Sequence, residues 1–113
     1  MVCAPDFLCR LLRRLEVELL LDIGHATISA AHFEVSVRDY LDRLPLELVS
    51  EVHLSGARTI NGIWEDTHEV PLDQDLEIVD YVLDRASFDY LTLEYYFDDR
   101  TLVEEYLRLS ERI

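Results

Sequence analysis

The sequence predicts an α/β fold in which an N-terminal helix precedes three parallel β-strand/α-helix units. Three short apolar runs predict the strands, over residues 17–23, 49–54 and 90–96. Their nearly continuous apolar character is typical of strands that are covered on both faces. A segment with helical periodicity follows each run, and this alternation is typical of a parallel α/β arrangement.

Four segments have the periodicity of amphipathic helices, with apolar residues three or four positions apart. These helices are predicted over residues 5–15, 35–44, 72–85 and 101–113. We expect Asp73, which comes shortly after Pro71, to cap the third helix. Asp98 or Asp99 is expected to cap the last one, because a carboxylate accepts hydrogen bonds from the free amides of a first helical turn.

The connection over residues 55–71 is predicted to be a long loop. It contains the only Trp and two of the three glycines of the chain. An ordinary connection between a strand and a helix takes about 2 to 6 residues, so this one is unusually long. Long loops at the carboxyl ends of parallel strands are where α/β proteins carry their functional sites.

Composition narrows the classes of partner. The chain has 113 residues, with 24 acidic against 10 basic ones and a net charge of −14. Such a charge disfavours nucleic acid and anionic membranes as partners, because both repel an acidic surface. No apolar run reaches the roughly 18 residues that a membrane span needs. Cys3 and Cys9 fit neither a disulfide framework nor a zinc knuckle, so a reducing, cytoplasmic location is expected.

Three polar residues lie where the predicted strands end. Asp22 ends the first run, His53 lies near the end of the second, and Glu94 lies near the end of the third. A buried carboxylate costs several kcal/mol unless a partner or a cation compensates it. Equivalent ends of parallel strands meet at one rim of a sheet, so we expect these three side chains to converge.

Three further residues extend this candidate metal site. Asp66 and His68 are two positions apart in the long loop, so in an extended segment they point to the same side. His25 follows Asp22 closely. The pooled set is Asp22, His25, His53, Asp66, His68 and Glu94. Three imidazoles and three carboxylates without a thiolate suit Fe(II), Mn(II) or Zn(II), and a shared carboxylate can bridge two ions.

Each of these residues also has a purely structural interpretation. Asp22 could satisfy the backbone donors of a tight turn, and His53 could be a hydrogen-bonded core histidine. Glu94 could pair with Arg58 or Arg100. The loop pair could be a solvated surface pair. Metal binding is favoured for the set because the structural interpretations require independent coincidences at three successive strand ends.

At these residues the sequence resembles the C-terminal part of the multinuclear non-heme iron-dependent oxidases. The similar runs are LLLDIGHATISA (19–30), LPLELVSEVHLSG (44–56), DTH (66–68) and LTLEYY (91–96). The resemblance implies a xylose-isomerase-like TIM barrel that uses two or more iron ions and oxygen to modify side chains, often cysteines, of ribosomally made peptides. It also implies a partner protein that delivers the peptide.

The resemblance assigns metal-ligand roles residue by residue. Asp22 matches the strand-end aspartate of the family, and His53 matches the histidine of its H-L-x-G run. Asp66 and His68 match its D-x-H motif, and Glu94 matches a later strand-end glutamate. His25 stands where many members have asparagine, and a histidine there keeps a group that can bind metal.

The family's remaining ligands come from the N-terminal half of its barrel. Residues 1–113 are therefore expected to form a single, partial, C-terminal TIM-barrel domain. Such a domain is expected to assemble with a complementary barrel half or with copies of itself. Two alternatives stay open: a divalent-metal sugar isomerase or epimerase, and an inactive truncated half-barrel or interaction scaffold.

Overall fold

The structure of the protein is a computed structural model, which describes residues 4–113. Helices and parallel strands alternate along these residues, which confirms the predicted α/β class. The elements are α1 (Pro5–Leu15), β1 (Leu19–Asp22), α2 (Ile23–His32), α3 (Val37–Asp42), a 3-10 turn (Leu46–Leu48), β2 (Val49–Leu54), β3 (Gly56–Ile60), β4 (Ile63–Glu69), α4 (Asp73–Leu83), β5 (Tyr90–Leu93) and α5 (Asp99–Ser110).

Three strands form a parallel sheet in the order β1-β2-β5. Asp22 of β1 lies opposite His53 of β2, and His53 lies opposite Thr92 of β5. The carboxyl ends of all three strands therefore meet at the same edge. This register is what brings the polar strand-end residues together.

Only one face of this sheet is covered within residues 4–113. Val52 and Leu54 are fully buried in the core beneath the helices. On the opposite face, Leu20 is 48% exposed and Tyr90 is 67% exposed. The prediction that the strands are covered on both faces is therefore wrong for these residues. Side chains alternate between the two faces of a sheet. The residues on either side of Val52 therefore project from the open face, and both are polar.

The segment after β1 forms two helices, where the sequence pattern predicts one. The predicted helix over residues 35–44 is present in shorter form as α3, and α2 precedes it. Helix α2 buries small residues such as Ala26 and Ala30 rather than a stripe of large apolar ones. It begins directly after β1 because the Asp22 carboxylate accepts a hydrogen bond from the His25 amide, which ends the strand.

The predicted long loop is a β-hairpin, so that prediction is wrong. Strands β3 and β4 pair in antiparallel fashion around Asn61 and Gly62, whose φ angles are 52° and 78°. Two consecutive positive φ angles are typical of the tight type I′ turn. Near its other end, β4 bulges, because Gly56 pairs with Glu69 whereas Arg58 pairs with Glu65. Asp66, Thr67 and His68 lie in this bulge.

Two predicted caps have different outcomes. The Asp98 carboxylate accepts a hydrogen bond from the Thr101 amide at the start of α5, as predicted. Asp73 is not the cap of α4. Leu72 occupies that position, and its amide donates a hydrogen bond to the Asp75 carboxylate at 2.7 Å.

Cys3 lies outside the described residues. Within residues 4–113 no helix is long and apolar enough to cross a membrane.

Candidate metal centre

Asp22, His53 and Glu94 meet at the carboxyl edge of the parallel sheet. Each of them offers one ligand-type atom, and these three atoms lie within 4.8 Å of one another. Glu94 follows β5 directly, and its amide donates a hydrogen bond to the Leu54 carbonyl at 2.9 Å. This bond extends the strand pairing by one residue and fixes the Glu94 backbone beside His53.

His25, Asp66 and His68 form a second group at the same edge. His25 lies in the first turn of α2, and its Nε2 is 2.9 Å from Oδ2 of Asp66. The other oxygen of Asp66 lies 3.5 Å from Nδ1 of His68. The backbone of His68 has a φ of 50°, a left-handed conformation that a regular strand does not contain. The bulge in β4, not simple alternation along a strand, therefore brings Asp66 and His68 together.

The two groups are adjacent. Nε2 of His68 lies 3.7 Å from Oε2 of Glu94, and Nδ1 of His25 lies 3.5 Å from Oδ2 of Asp22. All six residues selected from the sequence line one open cleft of about 590 Å³. The structure thus brings the whole set together, although its members come from β1, α2, β2, β4 and the end of β5.

Burial at the cleft is partial. The side chain of Asp22 is 13% exposed and that of His25 is 53% exposed. The side chains of His53, Asp66, His68 and Glu94 fall between these two. These groups are screened by the protein yet open to an ion or a small ligand. Imidazole nitrogens and carboxylate oxygens can bind a divalent cation, and the set contains no thiolate.

The structural interpretations of these residues have mixed outcomes. Glu94 contacts His53 and His68, whereas Arg58 donates to backbone carbonyls and Arg100 pairs with Glu104. The arginine pairing considered for Glu94 is therefore wrong. The interpretation of Asp22 is partly correct, because one of its oxygens accepts the His25 amide at 2.8 Å while the other faces the cleft.

Three residues that contact the candidate site were not predicted from the sequence. Glu51 lies two positions before His53, and its Oε1 is 2.9 Å from Nε2 of that histidine. Thr92 donates a hydrogen bond to the same oxygen at 3.0 Å. These two hydrogen bonds, first that of His53 and then that of Thr92, lower the pKa of the Glu51 carboxyl. Ser55, which is fully buried, donates to Asp66 at 3.5 Å.

Glu51 could have been found from the alternation of side chains along a strand. Residues two positions apart in β2 lie on the same face, so any polar residue two before His53 is a candidate neighbour. Ser55 and Thr92 carry no comparable signal in the sequence. Their hydroxyl groups reach the site because of the pairing of β2 with β5 and the position of the hairpin.

The chain is similar to proteins of one family over nearly its whole length. The family model described as RiPP precursor modification enzyme MbnB/TglH/ChrH matches residues 3–107. A UPF0276 protein of Bordetella pertussis is 37% identical over 84 residues, which are 69% of this chain and 29% of that protein. A UPF0276 protein of Streptomyces avermitilis is 32% identical over 82 residues, covering 73% of this chain and 16% of that protein.

A UPF0276 protein of a Caulobacter species is 37% identical over 70 residues, covering 59% of this chain and 25% of that protein. The chain thus spans less than a third of the length of these relatives. The match to the family model nevertheless includes all six cleft residues and confirms the resemblance seen in the sequence. The chain therefore belongs to the MbnB/TglH/ChrH family of RiPP precursor modification enzymes.

Proposed function

We propose that this chain is the metal-binding part of a non-heme iron-dependent oxidase that modifies side chains of ribosomally made peptides. The observation that carries the proposal is the convergence of Asp22, His53 and Glu94 on one point of the cleft. Ligand atoms lie about 2.0–2.2 Å from such a cation, so two of them are at most about 4.4 Å apart. A spread of up to 4.8 Å needs only a small closure to meet this condition.

The hydrogen bonds around His53 also favour a cation. Its Nε2 contacts Glu51, and its Nδ1 faces Oε1 of Glu94 at 3.2 Å. When the ring proton is on Nε2, Nδ1 presents a lone pair to a carboxylate that itself only accepts hydrogen bonds. Two facing acceptors repel each other unless a proton or a positive ion lies between them. A bound cation would compensate this arrangement.

The second group supports more than one ion. Asp66 directs one carboxylate oxygen to His25 and the other to His68. A carboxylate that uses its two oxygens towards different partners is suited to bridge two cations. We therefore propose two or more iron ions, held by Asp22, His25, His53, Asp66, His68 and Glu94. Bound iron would supply the redox chemistry with oxygen, while these side chains hold and orient it.

The substrate proposed for the whole enzyme is a peptide, in keeping with the description of the family. The cleft that contains the six proposed ligands is open at the carboxyl edge of the sheet. A peptide bound at this edge would place a side chain in the cleft. We propose that a separate delivery protein presents the peptide, as the resemblance implies.

We further propose that residues 1–113 form a C-terminal part of a TIM barrel. Strands β1 and β5 each pair with β2 on one side only, and one sheet face is open within residues 4–113. A complementary barrel half, or a second copy of the chain, would cover that face and add strands at the edges. The relatives, which are more than three times as long as the matched segment, contain enough chain for the remainder of a barrel.

The proposal is tested by metal analysis of the full chain after parallel anaerobic and aerobic purification. We expect stoichiometric iron in the anaerobic preparation, and loss of most of it in His53→Gln and Asp66→Asn. His32→Gln is the matched control, because His32 is exposed at the end of α2 and does not line the cleft. A wild-type protein that binds no Fe, Mn or Zn, even after reconstitution, would refute the proposal. Stoichiometric Mn or Zn with no affinity for iron would refute its oxidase part.

A further inference from the structure

We infer that Glu51, held in place by Thr92, is a positioning residue that sets the ring orientation and the protonated nitrogen of His53. In this arrangement Nε2 carries the proton and Nδ1 is the atom directed at the cleft. The inference rests on the proposed function only where it assigns a cation to Nδ1. The hydrogen-bond arrangement itself belongs to the metal-free protein.

The placement of Glu51 follows from the sheet. Glu51 and His53 are two residues apart in β2, so both side chains project from the open face. Oε1 of Glu51 lies 2.9 Å from Nε2 of His53. On the other side of the ring, Nδ1 lies 3.2 Å from Oε1 of Glu94. The imidazole is thus held between two carboxylates, of which only Glu94 belongs to the convergent set.

Of the two carboxylates that flank His53, only Glu51 is shown to accept a hydrogen bond from Thr92. Thr92 lies opposite His53 in the register of β2 and β5, and its hydroxyl donates to Oε1 of Glu51 at 3.0 Å. This oxygen therefore accepts from both Thr92 and His53. Among the ion pairs of residues 4–113, His53 is the partner of Glu51, and no arginine competes for the carboxylate. The hydrogen bonds with Thr92 and His53, both of which lie in strands, hold the Glu51 carboxylate against the imidazole ring.

The position of Glu51 determines which ring nitrogen of His53 keeps a free lone pair. An ionised carboxylate only accepts hydrogen bonds, and of the two contacts the one between Glu51 and Nε2 is the shorter, so Nε2 is assigned as the donor. A neutral imidazole with its proton on Nε2 has its lone pair on Nδ1, which faces Glu94. Carboxylates that hold a metal-binding histidine in this way typically change metal affinity about 10- to 100-fold when they are removed.

The test begins with the metal-free full chain, in which two-dimensional ¹⁵N NMR of the histidine rings reports the protonated nitrogen, at a pH above the histidine titration range. We expect the Nε2–H form for His53 in the wild type and a mixture of the two forms in Glu51→Ala. Glu51→Gln, which keeps an acceptor oxygen, should be intermediate. Glu65→Gln is the control, since it removes one carboxylate from the exposed side of the hairpin.

Zinc titration of the same variants gives the second measurement. We expect Glu51→Ala to bind Zn²⁺ about 10- to 100-fold more weakly than the wild type. Thr92→Val should show a smaller loss in the same direction, and Thr92→Ser, which keeps the hydroxyl, should bind as the wild type does. Should Glu51→Ala fail to fold, the comparison of Thr92→Val with Thr92→Ser decides the question.

An unchanged Nε2–H form in Glu51→Ala, or zinc affinity in that variant equal to the wild type, would overturn the inference. A wild-type chain that binds no cation would refute the proposed function instead, and the NMR comparison would still decide the role of Glu51. Loss of zinc binding in His53→Gln together with full binding in Glu51→Ala would leave the metal site standing and remove Glu51 from it.

Discussion

One oxygen of the Asp22 carboxylate accepts a hydrogen bond from the backbone amide of His25 at 2.8 Å, and the other lies 3.5 Å from Nδ1 of the same residue. The first contact starts helix α2, and the second faces the cleft. A single carboxylate thus ends a strand, begins a helix and belongs to the candidate metal centre. Fold and site are coupled at this residue, and substitutions can separate the two roles.

Asp22→Asn should keep the cap of helix α2 and lose metal affinity. Asparagine caps a helix about as well as aspartate does, whereas alanine costs about 1 kcal/mol at such a position. We therefore expect Asp22→Ala to lower the free energy of unfolding of the metal-free protein by about 1 kcal/mol, and Asp22→Asn to leave it nearly unchanged. Both variants should lose metal affinity. Urea unfolding and metal titration measure the two effects, and equal destabilisation by both substitutions would contradict the capping role.

The strand ends were predictable because each apolar run has a charged or ionisable residue at or near its carboxyl end. That pattern places Asp22, His53 and Glu94 at one edge once the strands are parallel. Helix α2 was not predictable in the same way. Its buried positions are small residues such as Ala26 and Ala30, so it lacks the periodic large apolar side chains by which amphipathic helices are recognised.

The hairpin carried a signal that the loop prediction did not use. Asn61 and Gly62 are the residue pair that a type I′ turn favours, and the flanking Ile60 and Ile63 pair across it. The bulge at His68 had no such signal, because no glycine marks the position that has the left-handed backbone, with a φ of 50°. The proximity of Asp66 and His68 was therefore predicted correctly, but from regular alternation rather than from the bulge that produces it.

Gly62→Ala should destabilise the hairpin through backbone conformation alone. The φ angle of Gly62 is +78°, and a Cβ added there meets no heavy atom within 4 Å. A residue with a side chain is disfavoured in this region by about 1–2 kcal/mol, so we expect a loss of about 1 kcal/mol in unfolding free energy. Gly62→Asn should cost less, since asparagine tolerates left-handed conformations. Chemical denaturation compares the two, and an alanine variant as stable as the wild type would contradict the turn.

Gly24→Ala should disturb the site through Ser55. A Cβ at Gly24 would lie 2.8 Å from Oγ of Ser55 and 3.3 Å from Oδ1 of Asp22. The first distance is too short for two unbonded atoms, so the serine hydroxyl must shift, and we expect this shift to disturb its hydrogen bond to Asp66. We expect weaker metal binding and lower stability in this variant.

A double substitution checks that mechanism. Ser55→Ala removes the hydroxyl with which a Cβ at position 24 would clash. The double variant should therefore be more stable than the sum of the two single changes in unfolding free energy predicts. Residues in direct contact typically show coupling energies of about 0.5–3 kcal/mol. Unfolding free energies of the four proteins give the coupling directly. Strict additivity would mean that Ser55 does not limit the space at Gly24.

Asp75 should give the protein a pH-dependent loss of stability. Its side chain is buried, with 3% of the residue exposed, and burial raises the pKa of its carboxyl above the ordinary 3.8. The hydrogen bond from the Leu72 amide and the charge of Arg58 oppose this shift without cancelling it. The folded protein therefore holds this proton more tightly than the unfolded chain does. Its contribution to stability is full below the unfolded pKa and is lost as the pH rises through the folded pKa.

Asp75→Asn removes this dependence while keeping an oxygen for the Leu72 amide, which the carboxylate accepts at 2.7 Å. The variant should therefore gain stability relative to the wild type as the pH rises from below 3.8 to neutrality, and the gain should level off above the folded pKa. Urea unfolding of both metal-free proteins at a series of pH values measures the difference. A difference that stays constant with pH, or that favours the wild type increasingly towards neutrality, would show that the buried carboxyl is not held in its protonated form by burial.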